Sequence, residues 1–231
     1  MTPPHLSAPT LLHPAALKAN RALTAQITRL ANEAFMRSKA PDWEKWDNSR
    51  VRFPTVETYW DMLDEEAIVA LVFDRDTGPD LVGREVTGNA RDGESDGKVV
   101  ACAAAVPWKG GWKKEGAGTE EGWEIKAVCV DGDSKYLRKG LAVQVMQALE
   151  DELVARAKAQ QGKMTNGSSY AAEPGRGCVA LWVLAAECIN GAYWRKRGYR
   201  ELRRSTEGKS TWGCKTSFEL VVFRKDVEYE V

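Results

Sequence analysis

The stretch EIKAVCVDGDSKYLRKGLAVQVMQALEDELVARAKAQ, residues 124–160, decides how the rest of the chain is read. Its first seven residues are the short, largely apolar and β-branched run of a strand. From Leu141, apolar residues recur at Val145, Leu149 and Leu153, flanked by Met146 and Val154. That spacing predicts a helix over residues 141–161, with Gly162 placed as its left-handed stop. Between strand and helix lies a polar turn carrying Arg138, Lys139 and Gly140. A turn that opens a helix presents free N–H groups and the positive end of the helix dipole, and a glycine there lets an anion come close. A pyrophosphate fits such a turn. So does a plain tight connection with solvated basic side chains, and the turn alone does not separate the two.

Working outward, residues 179–186 form a nearly continuous apolar run, as a strand covered on both faces requires. The long helix joins this strand to residues 123–130, so the two should run parallel through a right-handed crossover. Apolar runs at residues 67–73 and 99–108 predict two earlier strands, and residues 199–205 and 218–223 two later ones. Polar loops are expected over residues 74–97, 109–122 and 163–177. Asn190 is placed to cap a two-turn helix that Gly198 ends. Ahead of the strands, Pro14 stands at a helical first position, and Leu23, Ile27, Leu30, Ala31, Ala34 and Phe35 form one apolar face. Thr55 is the expected cap of a second helix bearing Val56, Tyr59, Trp60 and Leu63. Residues 1–14 hold four prolines and no periodicity, which reads as a loose N-terminal arm, with a single domain over residues 15–231. The fold class is mixed α/β: a mostly antiparallel sheet with one parallel, splayed pair, flanked by helices. In such sheets ligands lie beside the carboxyl end of the strand where the order switches.

Composition removes several functions. With 43% hydrophobic and 29% charged residues, 231 residues suit one globular domain. The 33 basic and 33 acidic residues cancel, leaving no overall field to gather nucleic acid or an anionic membrane. No run approaches a membrane span and residues 1–14 lack the pattern of a secretory signal, so a cytoplasmic protein is expected. Five cysteines without a CxxC pair (Cys102, Cys129, Cys178, Cys188 and Cys214) read as reduced, buried thiols. The two histidines, His5 and His13, both precede the first helix, so neither a metal site nor a histidine-activated nucleophile is expected.

Two segments in this order resemble the GNAT family of acyl-CoA-dependent N-acetyltransferases. The first is residues 124–130 followed by Leu137-Arg138-Lys139-Gly140-Leu141-Ala142, similar to the family turn (Q/R)-x-x-G-x-(G/A). The second is the apolar strand at 179–186 followed by Asn190-Gly191-Ala192-Tyr193-Trp194-Arg195-Lys196-Arg197-Gly198-Tyr199. The resemblance spans roughly residues 67 to 223. It implies acetyl-CoA as cosubstrate, held by Cys129, Val130, Leu137, Arg138, Lys139, Gly140, Leu141, Ala142, Asn190 and Trp194. It implies direct attack of an amine on the thioester, with oxyanion stabilisation by a main-chain amide near Val130. Glu124 is the leading candidate for the base that deprotonates the amine, with Glu187 second. The plain alternative for Glu124 is a strand carboxylate paired with a lysine or arginine. The tyrosine that often protonates the departing thiolate is replaced here by Trp194, and adjacent Tyr193 lies about 100° around the helix. Leu137 stands where the family usually has Gln or Arg, so phosphate binding leans on amides and on Arg138. The turn after Val130 is also about two residues longer than the family's.

Trp43, Trp46, Phe53, Tyr59 and Trp60 are candidates for a wall of the acceptor pocket or for plain core, and Arg195, Lys196 and Arg197 for a phosphate screen or a solvated helix end. The acceptor is left open among a small amine, an aminoglycoside-like antibiotic, a polyamine, an amino acid and a protein amino group. A monomer or homodimer without nucleic-acid or membrane partners is expected. The rival reading is a non-catalytic acyl-CoA-binding protein of the same fold.

Overall fold

A computed structural model describes residues 3–77, 97–165 and 175–230. The loops expected over 74–97 and 163–177 lie mostly outside the described residues. Twelve regular elements follow one another: β1 (Thr10–Leu12), α1 (Pro14–Ala19), α2 (Arg21–Lys39), α3 (Val56–Met62), β2 (Ile68–Asp74), β3 (Lys98–Pro107), β4 (Trp123–Val130), α4 (Leu141–Thr165), β5 (Arg176–Ala186), α5 (Ala192–Lys196), β6 (Arg200–Glu207) and β7 (Phe218–Glu230).

The strands form one sheet in the order β1-β2-β3-β4-β5-β7-β6, antiparallel throughout except for the parallel pair β4 and β5. Helices cover both faces. Leu141, Val145, Leu149 and Leu153 of α4 pack on Ala70, Val72, Ala101 and Ala103, whereas Leu23, Ile27, Leu30 and Ala31 of α2 pack on Val69, Leu71, Cys102 and Ala104. The alternation along β2 and β3 sends successive side chains to opposite helical layers, which is why both strands are apolar without interruption. Alanine at four positions of β3 keeps the two layers close to the backbone.

Local chemistry accounts for the element ends. Pro14 opens α1, and the side chain of Asn20 accepts from Leu23 N at 3.0 Å, so the expected first helix is two helices joined at Asn20. Thr55 and Thr58 form a capping box at α3. Gly198, at φ 84°, receives the chain after α5.

Four expectations need correction. The N-terminal segment is not a loose arm throughout, because Thr10–Leu12 pairs with Leu71, Ala70 and Val69 of β2, and Leu6 bridges to Asp74. Unpaired main chain at the β2 edge recruits it. Gly162 does not stop α4, which continues to Thr165. A glycine inside a helix costs about 1 kcal/mol but does not by itself end one. Asn190 does not cap α5: it lies within a π-helical turn, Glu187–Gly191, and its Oδ1 has no protein partner. Cys102, Cys129 and Cys214 are buried as expected, but Cys178 and Cys188 are exposed.

Among the described residues, no helix is long and apolar enough to cross a membrane.

Candidate active site

The sheet is paired everywhere except at its centre. β4 and β5 meet only at Trp123 with Leu181 and at Glu124 with Trp182, while β5 goes on pairing with β7 along all eleven of its residues. Beyond Glu124 the two parallel strands diverge. The divergence begins beside an irregularity in β4. Ala127 has φ 49°, a left-handed conformation unusual for alanine in a strand, and the β3–β4 register shifts between Cys102 and Ala104. Such bulges bend a strand and re-aim its side chains.

The open edge carries usable donors. Asp131 N donates to Val100 O on β3 at 2.8 Å. Because main-chain groups alternate sides along a strand, the N–H groups of Val130 and Val128 face the gap instead. The Val130 carbonyl faces the same way and accepts from Arg37 Nη2 at 2.6 Å, so α2 reaches across to the end of β4.

The turn that follows is fixed at three points. The Asp131 carboxylate accepts from Asp133 N at 2.8 Å and pairs with Lys98 Nζ at 2.9 Å. The Tyr136 ring is 1% exposed and its hydroxyl donates to Asp74 Oδ2 at 2.6 Å. Burial opposes ionisation of Asp74, but hydrogen bonds from Tyr136, Thr77, Asp76 N and Lys135 outweigh it and bring the carboxyl down to about 2. With Leu141 buried at the start of α4, residues 137–140 arch over this anchor. Arg138 at φ 61° and Gly140 at φ 75° turn the backbone left-handed, and a Cβ on Gly140 would meet nothing within 4 Å. Main-chain N–H groups of Arg138 to Ala142 donate to no acceptor among the described residues, whereas Val143 N and Gln144 N already bond Gly140 O at 2.9 and 3.0 Å. The result is a concave set of free donors at a helix N-terminus, chemically a cradle for a phosphate chain.

On the other face of β4, Glu124 is nearly buried and its carboxylate lies 3.0 Å from Lys126 Nζ. Arg52, on the connection before α3, is exposed and lies over the rings of Phe35 and Phe53 at 4.4 and 5.4 Å. Asn32 grips the neighbouring main chain from both sides, donating to Phe53 O at 2.8 Å and accepting from Phe53 N at 2.9 Å. Tyr59 is fully buried, edge-on to Phe53, with a hydroxyl that has no protein partner.

Two solved structures share this fold over nearly their whole length. An acetyltransferase of the GNAT family from Streptococcus pneumoniae is 11% identical and aligns over 96% of this chain and 100% of that one, with a TM-score of 0.50. A candidate acetyltransferase from Acinetobacter baylyi is 10% identical, aligning over 95% and 92%, with a TM-score of 0.51. The chain has the GNAT fold. No family model matches the chain, and no curated protein is similar to it in sequence.

Within the GNAT fold, the residues that the sequence singled out fall into three groups. Cys129, Val130, Leu137, Arg138, Lys139, Gly140, Leu141 and Ala142 line the end of β4 and the turn, with Leu137 39% exposed and Cys129 and Leu141 buried. Asn190, Tyr193 and Trp194 lie after β5. Trp194 is 4% exposed, packed edge-on to Tyr193 and Tyr199, and its indole N–H has no protein partner. The Tyr193 hydroxyl is also buried without a protein partner, and burial raises it above the usual phenol range. Glu187 forms the third group with Arg195, which it binds at 2.6 and 2.8 Å. The bonds from Arg195 lower Glu187, so it is a poor proton acceptor.

Arg195 is thereby committed to Glu187 and Glu201, while Lys196 and Arg197 line an open groove of about 270 Å³ with Val143, Gln147 and Tyr199. The aromatic residues divide as well. Trp46, Phe53 and Tyr59 are core, and Trp43 is 66% exposed. Sequence reasoning missed Arg37, Arg52, Asp74 and Tyr136. Tyr136 carried a signal, being the sole aromatic residue of a mostly polar turn. Arg37 carried none, since it acts across 93 positions of chain.

Proposed function

We propose that this protein is an N-acetyltransferase that moves the acetyl group of acetyl-CoA onto an amine. The observation that carries the reading is the cradle at residues 138–142: free N–H groups, clear space at Gly140, and the parting of two parallel strands directly behind them. A diphosphate matches its charge, and the open edge of β4 suits an extended amide-bearing arm. Acetyl-CoA, when bound, supplies an acyl group already activated as a thioester.

The remaining work falls to side and main chain. Arg138 to Ala142 hold the diphosphate, helped by the Arg138 and Lys139 side chains in place of the residue that Leu137 does not supply. Cys129 and Val130 form the wall of the gap, and the N–H groups of Val128 and Val130 donate to a carbonyl oxygen as charge builds on it. An alkyl ammonium has a pKa near 10, so a neutral nucleophile has to be generated in place. Glu124 accepts that proton, with Lys126 as its charge partner in the resting protein. Tyr193, whose buried hydroxyl keeps its proton, is the proton donor nearest in sequence to the position that Trp194 occupies.

One observation favours a second reading. Trp194 cannot donate a proton to a thiolate and is packed as core, which suits a protein that binds acyl-CoA without turnover. Thermal unfolding with and without acetyl-CoA, followed by thiol release across a panel of amines, separates the two. Ligand at about 100 times its Kd adds about 2.7 kcal/mol to stability. Stabilisation with thiol release supports the transferase, stabilisation without it supports the binder, and no stabilisation rejects both.

A further inference from the structure

The charges of the chain cancel as a whole but not at the mouth of the gap between β4 and β5. Three segments meet there: residues 37–50 at the end of α2 and beyond it, residues 109–116 between β3 and β4, and residues 208–217 between β6 and β7. Asp47 N donates to Gly213 O and Lys215 N to Lys45 O, each at 2.8 Å, and Trp46 bridges to Cys214. The segment at 109–116 joins them through Trp112, whose ring lies edge-on to Trp212 at 5.6 Å, and through Lys113, 3.1 Å from Glu207.

This layer touches both walls of the gap. Arg37 Nη2 donates to Val130 O at the end of β4 at 2.6 Å, and two residues further along the same helix Lys39 donates to Trp212 O. Trp46, Trp212 and Phe218 pack with Leu184 and Ala186 at the end of β5. Leu184 stands two residues past Trp182, the neighbour of Glu124 in the parallel pair, so alternation turns Glu124, Trp182 and Leu184 to the same face of the sheet. The helix that the cradle opens, α4, packs on the opposite face.

The three segments carry nine lysines and arginines against four carboxylates. Lys109, Lys113 and Arg50 pair with Asp64, Glu207 and Asp47, and Glu115 pairs with Arg203. Among the described residues, Arg37, Lys39, Lys45, Lys114, Lys209 and Lys215 have no carboxylate within ion-pair distance, so six cations face only Asp42 and Glu44. Two exposed indoles lie in the same layer. Trp43, 66% exposed, has the Lys215 ammonium 5.9 Å from its ring centroid and accepts from Lys215 Nζ at its carbonyl at 2.8 Å; Trp112 is 43% exposed. Like charges held side by side favour an anion beside them, and exposed indoles favour an apolar contact.

We propose that the acceptor is an amine of an acidic polypeptide segment, whose flanking carboxylates are received by the basic, tryptophan-bearing layer at residues 37–50, 109–116 and 208–217. A layer drawn from three separate segments suits an extended chain. The base at Glu124 serves an alkyl amine, which a polypeptide carries at its N-terminus and on lysine and a nucleobase does not. The proposal rests on the transferase reading and narrows its acceptor.

The test is thiol release from acetyl-CoA with the full-length protein and synthetic peptides of equal length. Each carries one reactive amine, N-terminal in one series and a lysine in the other, flanked by Asp and Glu, by Ser, or by Arg. The expected result is a kcat/KM about 10- to 100-fold higher for the acidic peptides than for the serine-flanked ones, with the arginine-flanked ones slowest. The preference should shrink as salt rises from about 20 to 300 mM, because screening shortens the reach of exposed charges. Lys45, Lys114 and Lys209 bond no side chain among the described residues, so Lys45→Glu/Lys114→Glu/Lys209→Glu should keep a native Tm. It should raise KM for the acidic peptides about 10-fold or more and reverse the order of acidic and arginine-flanked peptides. Lys18→Glu, on α1 at the other end of α2, should alter no rate. Equal turnover of acidic and serine-flanked peptides, a preference that salt does not move, or the same loss in Lys18→Glu overturns the proposal. So does faster turnover of a polyamine or free amino acid than of every peptide, or inhibition by single-stranded RNA with no turnover of acidic peptides. Failure of the transferase reading looks different: acetyl-CoA would then give no stabilisation, or stabilisation with no thiol release from any acceptor.

Discussion

The Tyr136 hydroxyl donates to the Asp74 carboxylate at 2.6 Å, tying the middle of the β4–α4 turn to the last residue of β2. This contact explains how a turn of ten residues between β4 and α4 keeps its outer arch open. Tyr136 folds inward as core, and Leu137 to Gly140 are left arched over a fixed base.

The Asp74 carboxyl lies at about 2 in the folded protein, below the ordinary value of 3.8. A depressed carboxyl contributes stability that is fully present above the unfolded pKa and is lost as pH falls through the folded one. Unfolding free energy measured from pH 5 to pH 2 should therefore fall less steeply in Asp74→Asn than in the native protein. The difference should be of order 2 kcal/mol across that window. Tyr136→Phe should cost about 1–2 kcal/mol at neutral pH. Parallel pH curves for Asp74→Asn and the native protein would rule out this coupling.

Gly140→Val places a β-branched residue at φ 75°, where the strain is about 1–2 kcal/mol, although its Cβ would strike nothing in the protein. Tm should drop by only a few degrees, while the stabilisation by acetyl-CoA disappears. Retained stabilisation in a folded Gly140→Val protein would place the diphosphate elsewhere.

Glu124→Gln preserves the shape of the side chain and removes its capacity to take a proton. The expected loss in kcat is about 10²- to 10⁴-fold, with the acetyl-CoA-dependent rise in Tm unchanged. A kcat within a few-fold of native would take Glu124 out of the mechanism.

Trp194 packs between Tyr193 and Tyr199 with 4% of its surface exposed. Trp194→Ala should cost about 3–5 kcal/mol, and Trp194→Phe much less because the indole N–H it removes has no protein partner. If packing is the role of this residue, Trp194→Phe leaves kcat near native; a large fall in kcat at native Tm would give the indole a part in the chemistry.

Where the reading followed local rules, the sequence was a good guide. The capping threonine at Thr55, the proline opening α1 and the glycine ending α5 each act within four residues of chain, and each lies where its chemistry put it. The strand at residues 123–130 and the start of the helix at Leu141 were legible for the same reason, since side-chain period is a property of neighbours. Gly162 misled because a helix end is set by what the next residues gain elsewhere as well as by the glycine itself.

The sequence by itself determined the alternation of elements, the parallel crossover through α4 and the existence of a polar, glycine-bearing turn between β4 and α4, because periodicity, capping and chain connectivity are short-range physics. Only the tertiary structure decided that β4 and β5 part after Glu124, that Asp74 anchors the turn through Tyr136, and that Arg37 of α2 reaches the end of β4. Those relationships join residues 58 to 93 positions apart, and their geometry depends on which helix lies on which face of the sheet, a matter settled by the packing of the whole core.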